Sequence, residues 1–212
     1  MFKKFAVMLC AVMAFRSVPA FADGLGAAYA IGSPVNVLMN ISRLYSVQKK
    51  AENGDADSQF TLGNMYRNGE IVSQDKLAAV KWYAKAADKG HAYAQYNLAQ
   101  MYRIGEGVIQ DKAKAAELYT KAAKKGVPEA QYDLGVMYYN GDGVEKDFRR
   151  AFDWYTKAAV KGNPQAQYNL AIMYGRGEGT KENRREAVIW LKEAARRGHT
   201  DAKNALEMLG EK

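Results

Sequence analysis

Apolar and small residues recur along this chain with a period of 36 residues, and the polar positions between them keep the same register. From Ala94 to Tyr102, apolar residues fall at i, i+4, i+5, i+7 and i+8, which is one stripe of an amphipathic helix. A second stripe, spaced i, i+3, i+4, i+7 and i+8, runs from Ala115 to Ala123. The pattern therefore predicts two helices in each period.

Glycine, proline and short polar residues indicate where these helices begin and end. Gly105 and Gly107 follow a first helix, and glycine readily takes the left-handed conformation of a helix C-cap. Pro128 and Pro164 open two later first helices, where proline removes no intrahelical hydrogen bond. Each second helix starts after a residue whose side chain can accept a hydrogen bond from the first turn. These N-cap residues are Asp75, Asp111, Asp147 and Asn183.

Such a period is typical of a solenoid, in which each repeat buries its apolar face against its neighbours. The alanine pairs near the end of each second helix, and the small residues at Gly63, Ala99, Gly135 and Ala171, indicate close approach of helices. We predict an all-α solenoid over residues 33–212, with four 36-residue helix-turn-helix repeats and a half-repeat at each end. The complete repeats are residues 55–90, 91–126, 127–162 and 163–198.

The half-repeats differ in type. Residues up to Ala51 align with a second helix, and Ser33-Pro34 supplies its N-cap and first position. Residues 199–212 align with a first helix. Three inner positions of that helix are polar, which is what a terminal cap requires. They are Lys203, Asn204 and Glu207.

Repeat 127–162 carries a recognisable motif: Ala130-Gln131-Tyr132, Leu134-Gly135, Met137-Tyr138, Gly141-Asp142-Gly143-Val144, Asp147, Ala151, Trp154-Tyr155, Lys157-Ala158-Ala159 and Gly162. The motif resembles the Sel1-like repeat, a relative of the tetratricopeptide repeat, and the resemblance covers residues 51–212. Three positions depart from it, Ile71, Leu118 and Leu191, and each change is compatible in volume or falls in a loop.

The resemblance implies a right-handed superhelix that acts as an adaptor or scaffold. The exported bacterial members of this family resemble regulators of envelope signalling, of polysaccharide secretion or motility, and of host interaction. A cysteine-rich subset, with a disulfide in each repeat, has been linked to β-lactam or cell-wall binding. This chain has one cysteine, Cys10, so its similarity to that subset is weak.

The first 22 residues are typical of a secretory leader. Lys3 and Lys4 precede an apolar run over residues 5–15, and Ala20-Phe21-Ala22 provides a cleavage site. The 11-residue run is shorter than the roughly 20 residues of a membrane span, so we expect no stable insertion after cleavage. A buried or interfacial helix is the alternative, and Arg16 is the main reason for it. We predict cleavage after Ala22, a flexible mature segment at 23–32 and a periplasmic or secreted location.

The net charge and its distribution argue against a nucleic-acid partner. The formal net charge is +8, and loss of three basic leader residues would leave 28 basic and 23 acidic residues, about +5. Both signs are interleaved, and no helix face or tail concentrates the positive charge. Arginine doublets at 149–150, 184–185 and 196–197 fall on or near second helices. They are read as a solvated outer face, with an anionic partner site as the alternative.

The sequence holds no set of residues that predicts catalysis, a metal or a cofactor. His91 and His199 are 108 residues apart, and we expect both to be exposed at helix starts. Asn140-Gly141-Asp142-Gly143 lacks the spaced carboxylates of an EF-hand and the lysine of a P-loop, so it is read as a turn. Trp82, Trp154 and Trp190 share one register and are assigned to packing between helices. We therefore predict a protein that is not an enzyme.

Positions at which sister repeats differ are those that packing does not dictate. If first helices line the concave face, several such positions hold apolar or aromatic residues beside arginine, the composition of a protein-binding hot spot. Unselected surface variation is the alternative. The candidate groove residues are Arg67, Tyr93, Gln100, Arg103, Ile104, Glu129, Val136, Tyr139, Ile172 and Arg176.

The function that these observations favour is a monomeric, non-enzymatic adaptor, in the bacterial envelope or secreted, that binds a protein or peptide on its concave face. The alternative is a cell-wall protein that binds or acts on peptidoglycan or a β-lactam. A host-facing role would use the same surface with a different partner.

Overall fold

The computed structural model describes residues 34–211, and every regular element within that range is an α-helix. These residues divide between His91 and Ala92 into two compact units. The predicted leader, the segment at 23–32 and Ser33 lie outside the described residues. Within the described part, no helix is both long and apolar enough to cross a bilayer.

The first unit contains three helices, α1 (Pro34–Glu52), α2 (Ala56–Asn68) and α3 (Lys76–Asp88). Helix α1 is the second helix of the N-terminal half-repeat, and at 19 residues it is longer than the 13-residue helices that follow. Its buried Leu44 and Ala51 join a core with Leu62 and Met65 of α2.

The second unit contains seven helices in which first and second helices alternate, and each helix packs against the next in the chain. The first helices are α4 (Ala92–Ile104), α6 (Pro128–Asn140), α8 (Pro164–Arg176) and α10 (Thr200–Met208). The second helices are α5 (Lys112–Lys124), α7 (Phe148–Val160) and α9 (Arg184–Arg196). The predicted all-α solenoid of helix-turn-helix repeats is confirmed.

Local capping chemistry sets the helix ends as the sequence predicted. Asp75, Asp111 and Asp147 each accept a hydrogen bond at 2.9 Å from the backbone three residues later. Gly141 and Gly177 close α6 and α8 in the left-handed conformation, with φ of 76° and 69°. Both helices therefore end at the point where glycine supplies the left-handed conformation.

One loop keeps its left-handed conformation without glycine. Ile71 has φ of 69°, and it stands where later repeats have Gly107, Gly143 and Gly179. A β-branched residue is strained there. Its side chain is buried in the first unit's core beside Leu44, so burial of apolar surface offsets the strain.

Two polar contacts recur between successive repeats. The buried amides of Gln59, Gln131 and Gln167 each donate at 3.0 Å to a carbonyl near the end of the preceding second helix. In addition, Lys89 donates to the carbonyl of Gly54, and Lys161 donates to that of Gly126 at 2.5 Å. Part of the positive charge of the chain is therefore used to join repeats, because each amine binds the carbonyl of a glycine in the turn between two repeats.

The prediction that both histidines are exposed is wrong. The His91 ring stacks on Phe60 at 4.5 Å between centroids and lies 3.2 Å from an Asp57 oxygen. The His199 ring stacks on Tyr168 at 4.6 Å. Each imidazole covers an aromatic ring of the first helix one repeat earlier, a contact that no local pattern could reveal.

Candidate binding groove on the first helices

The second unit has an open cavity of about 350 Å³ between α6 and α8. Val136 and Ile172 give it apolar walls, and Tyr155 of α7 forms its floor. We call this cavity the aromatic section. Its lining residues are Tyr132, Val136, Tyr139, Asn140, Tyr155, Tyr168, Asn169, Ile172 and Arg176.

A second open cavity, of about 520 Å³, lies between α8 and α10 above α9. Its walls are almost entirely aliphatic, and Arg176, Arg184 and Glu182 stand at its rim. We call it the aliphatic section. The residues that give it apolar surface are Ala171, Ile172, Gly175, Ala187, Val188, Leu191, Ala205, Met208 and Leu209. Ile172 and Arg176 border both sections, so the two cavities adjoin.

Polar side chains occupy the equivalent place between α4 and α6. The Gln100 amide donates to the Tyr96 hydroxyl at 2.8 Å, and that hydroxyl bonds to the half-buried carboxylate of Asp133. Burial raises the pKa of Asp133, and the Arg103 guanidinium opposes this shift only in part. We call Gln100, Arg103, Tyr119 and Asp133 the charged section. The three sections together are the groove.

The aromatic section brings together four of the residues predicted from sequence, Val136, Tyr139, Ile172 and Arg176. Two more, Gln100 and Arg103, lie in the charged section. Tyr93 and Ile104 are on α4 with 51% and 56% of their surfaces exposed, and neither lines a cavity described above. Glu129 is exposed on the first turn of α6.

Arg67 belongs to α2 in the first unit, whereas the groove is defined by residues of the second unit. All ten candidate groove residues, whether or not they line a cavity, stay predictions as binding residues.

The rim of the aromatic section is held by polar contacts around Tyr139. Its hydroxyl donates to Glu178 at 2.8 Å, and an Arg176 nitrogen lies 3.5 Å from the same hydroxyl. Desolvation and then the Glu178 carboxylate raise the pKa of Tyr139, so the hydroxyl stays protonated and donates. The Tyr139 ring also packs on Phe148 at 5.1 Å. Arg176 is thus positioned beside the cavity while most of its side chain stays exposed.

Two features of the groove were missed by sequence reasoning. Asp133 shares its register with Thr61, Asn97 and Asn169, an ordinary series of polar residues. Asp133 belongs to the charged section because it is buried against α4, and the sequence does not specify this burial. Asn169 was missed for the same reason, although it hydrogen-bonds to Tyr132 and Tyr155 at the cavity floor. A carboxylate appearing once in a series of neutral residues is the signal that could have drawn attention to Asp133.

The second helices present a different surface. Arg149, Arg150 and Arg196 are largely exposed and pair with carboxylates on the same helix or at its N-cap. These contacts fit the solvated-face interpretation of the doublets. The loop aspartate Asp142 pairs with Lys112 at 2.7 Å, as expected for a structural turn. Among residues 34–211, no cluster of three or more histidine, cysteine, aspartate or glutamate side chains could hold a metal ion.

Helix pairs that repeat every 36 residues, with a groove along their first helices, define a protein of the α-solenoid class. The Sel1 repeat family model matches residues 56–91, 92–127, 128–163 and 164–199. Because four consecutive repeats cover most of the chain, it belongs to the Sel1 repeat family. A search of curated protein sequences gave no significant match.

Several solved structures are similar to this chain. One is c5321, described as a protective antigen present in uropathogenic Escherichia coli strains, with 38% identity over 77% of this chain and a TM-score of 0.75. Another is a Sel1 repeat protein from Oxalobacter formigenes, with 38% identity over 78% of this chain and a TM-score of 0.73. The chain spans 35% and 48% of the lengths of these two proteins.

A third similar structure is cysteine-rich protein B of Helicobacter pylori, with 27% identity and a TM-score of 0.51. The match covers 63% of this chain and 96% of that protein. The present chain has one cysteine, Cys10, so it does not share that composition.

Proposed function

We propose that this protein is a non-enzymatic adaptor that binds a protein or an extended peptide in the groove of its second unit. Sel1 repeat proteins generally mediate protein–protein interaction. The observation that carries the proposal is the pair of adjoining open cavities, whose walls combine tyrosine, aliphatic side chains and a positioned arginine. Aromatic residues and arginine dominate the energetics of protein interfaces.

The side chains of the groove support binding rather than chemistry. The Tyr139 hydroxyl is engaged by Glu178, and Asn169 is engaged by the tyrosines of the floor. In this part of the chain, these polar groups orient one another and leave apolar walls open to a ligand. A pre-ordered surface of this kind binds with a smaller entropic cost than one that orders on contact.

We propose export as well, because the first 22 residues have the composition of a secretory leader. Intact mass measurement of the protein from expressing bacteria tests this directly. We expect a mature chain that begins at Asp23 and is recovered from the periplasm or the medium. A chain that retains residues 1–22 in the cytoplasm would overturn the export proposal and leave groove binding untouched.

The groove is tested by affinity capture from an envelope fraction with two matched double variants. Tyr139→Ala with Ile172→Ala alters the aromatic section, whereas Arg149→Ala with Arg185→Ala alters the second-helix surface. We expect the first pair to lose proteins that the wild type and the second pair retain. The reverse result would place the partner on the basic outer surface.

Two further assays distinguish the adaptor from the alternative, a cell-wall protein. Binding to purified peptidoglycan sacculi, or turnover of nitrocefin, would favour that alternative if it persisted in the groove variants. We expect the wild-type protein to show neither activity.

A further inference from the structure

The fold of the second unit separates its charges by helix type. The second helices α5, α7 and α9 hold 11 basic and four acidic residues, a net charge of +7. The first helices α4, α6, α8 and α10 hold three basic and four acidic residues, a net charge of −1. This differs from the expectation from sequence that no helix face concentrates positive charge.

The positive excess lies on the surface of the second helices. Ten of their 11 basic side chains are exposed, and Lys192 is half-buried. Of their four acidic side chains only Glu117 and Asp153 are exposed. Three of the arginines pair with carboxylates, but exposed ion pairs of this kind are weak. We call the exposed faces of α5, α7 and α9 the second-helix surface.

Exposed aliphatic side chains stand among these cations. Val160 has 72% of its surface exposed and follows Lys157 by one turn of α7. Ile189 has 45% of its surface exposed and follows Arg185 by one turn of α9. The Lys157 amine also lies 4.0 Å from the centroid of the half-buried Trp154 ring. The second-helix surface therefore offers apolar contacts as well as positive charge.

An anionic bilayer matches both properties of this surface. Its headgroups attract lysine and arginine, whose long stems can cover apolar surface while the charge stays in water. Aliphatic side chains and tryptophan gain from contact with the boundary between headgroups and acyl chains. A soluble polyanion supplies the charge without an apolar layer, so Val160 and Ile189 favour the bilayer.

We infer that the second-helix surface binds the surface of a membrane that contains anionic lipids. This contact would be peripheral, because it uses side chains on the exposed faces of folded helices. The inference goes beyond the groove, which uses other side chains. Tyr155 lies on the buried face of α7 and lines the groove, whereas Lys157 is exposed. A protein partner and a membrane could therefore be bound together.

The experiment is co-sedimentation with large unilamellar vesicles of phosphatidylcholine alone, or of phosphatidylcholine and phosphatidylglycerol in equal parts. All proteins begin at Asp23, which keeps every described residue and removes the apolar run at residues 5–15. We expect binding to the anionic vesicles only. Raised salt should reverse it, because salt screens exposed charges.

A triple variant removes cations from the second-helix surface. Lys121→Gln, Lys124→Gln and Arg185→Gln change exposed side chains and keep good helix formers at these positions. We expect this variant to bind anionic vesicles about tenfold more weakly than wild type, since each surface cation adds to the attraction. Helical circular dichroism confirms that it is folded before binding is measured.

A matched triple variant removes the same charge elsewhere. Lys146→Gln and Lys181→Gln lie in loops, and Lys203→Gln lies on α10. Positions 146 and 203 then carry the glutamine that other repeats have at the same register. We expect this variant to bind anionic vesicles as wild type does. An equal loss in the two triple variants would show that net charge alone is responsible, and would overturn the inference.

A further pair of substitutions separates a bilayer from a soluble polyanion. Val160→Thr with Ile189→Thr keeps the branched shape and the net charge and removes apolar surface. We expect about threefold weaker binding to anionic vesicles, in line with the apolar surface lost, and unchanged binding to dextran sulfate. Unchanged binding to both would overturn the bilayer assignment, and so would binding of wild type to dextran sulfate without binding to vesicles.

The groove variant distinguishes this inference from the proposed function. Tyr139→Ala with Ile172→Ala should bind anionic vesicles as wild type does. Loss of vesicle binding in that variant would place the lipid in the groove and overturn the inference. Absence of wild-type binding to anionic vesicles would overturn it as well, and would leave protein binding in the groove untouched.

Discussion

Gly135 and Tyr155 are in such close contact that a Cβ atom on Gly135 would lie 2.6 and 2.7 Å from two carbons of the tyrosine ring. Gly63 and Tyr83 repeat this relationship at the same distance in the first unit. In both repeats the tyrosine ring is inclined by 37–38° to the aromatic ring on its first helix. Where Ala99 replaces glycine, the corresponding angle, between Tyr96 and Tyr119, is 55°. The residue at this register thus sets the tilt of the ring that forms the groove floor.

Replacing Gly135 by valine should therefore lower the free energy of unfolding by about 1–3 kcal/mol, because a branched side chain overlaps the Tyr155 ring by more than a change of tilt like that beside Ala99 can relieve. Chemical denaturation measures the effect. Gly135→Ala is the matched control, since alanine occupies this register at positions 99 and 171. It should be tolerated with a changed ring tilt, and a valine variant as stable as the alanine variant would contradict this account of the contact.

The contact between Lys161 and the Gly126 carbonyl gives a second prediction. Lys161→Met keeps most of the side-chain volume and removes the hydrogen bond, so stability should fall by roughly 0.5–1.5 kcal/mol. Lys181→Met in the exposed loop before α9 removes the same charge and should stay within about 0.5 kcal/mol of wild type. Equal effects of the two substitutions would show that net charge, and not the inter-repeat contact, matters.

Much of the fold could be predicted because its signals are local. The N-cap at Asp111 and the C-cap at Gly141 act within a few residues, so a repeating sequence places helix ends almost directly. The groove was predicted less fully. Tyr139 and Ile172 were found because sister repeats differ there, whereas Asp133 matters through its burial against the neighbouring first helix.

Contacts between repeats explain the remaining errors. His199 was expected to be exposed, yet it stacks on Tyr168, which lies 31 residues earlier. His91 likewise stacks on Phe60, 31 residues earlier. Both contacts depend on how one helix lies against another, and neither the period nor the residue type carries that information. Ile71 was read as a loop change, and it does lie in a loop, where it keeps the left-handed backbone of the glycines at the same register.

A third prediction concerns pH. Because burial raises the pKa of Asp133 above 3.8, the folded state holds this proton to higher pH than the unfolded chain does. Tighter proton binding at Asp133 therefore adds to the free energy of unfolding. This addition is fully present below about pH 3.8 and is lost as the pH rises through the folded-state pKa. The stability of Asp133→Asn relative to wild type should therefore be greatest near pH 7 and should decrease on acidification.

Thermal melting of both proteins between pH 3 and pH 7 measures that difference, with Asp153→Asn on the exposed face of α7 as the control. A difference between Asp133→Asn and wild type that grows as the pH falls would contradict the sign, and would show that Arg103 compensates the carboxylate fully.

The last prediction concerns the C-terminal cap. Ala202 and Leu206 of α10 are buried against Ala171, Leu191 and Ala194, so deletion of residues 200–212 would uncover the apolar face of the last complete repeat. Terminal repeats of a solenoid need a polar outer surface, and an uncovered apolar face promotes association.

We therefore expect the shortened protein to melt at a lower temperature and to form larger species in size-exclusion chromatography with light scattering. Truncation after Leu209 is the matched control. It keeps α10 and removes only Gly210, Glu211 and Lys212, including the partly exposed ion pair of Lys192 with Glu211. Such a pair contributes little, so this control should melt within a few degrees of wild type and elute at the same volume. If the longer deletion behaved like the control, the last complete repeat would not need α10 to cover it, and the role assigned to Leu206 would be wrong.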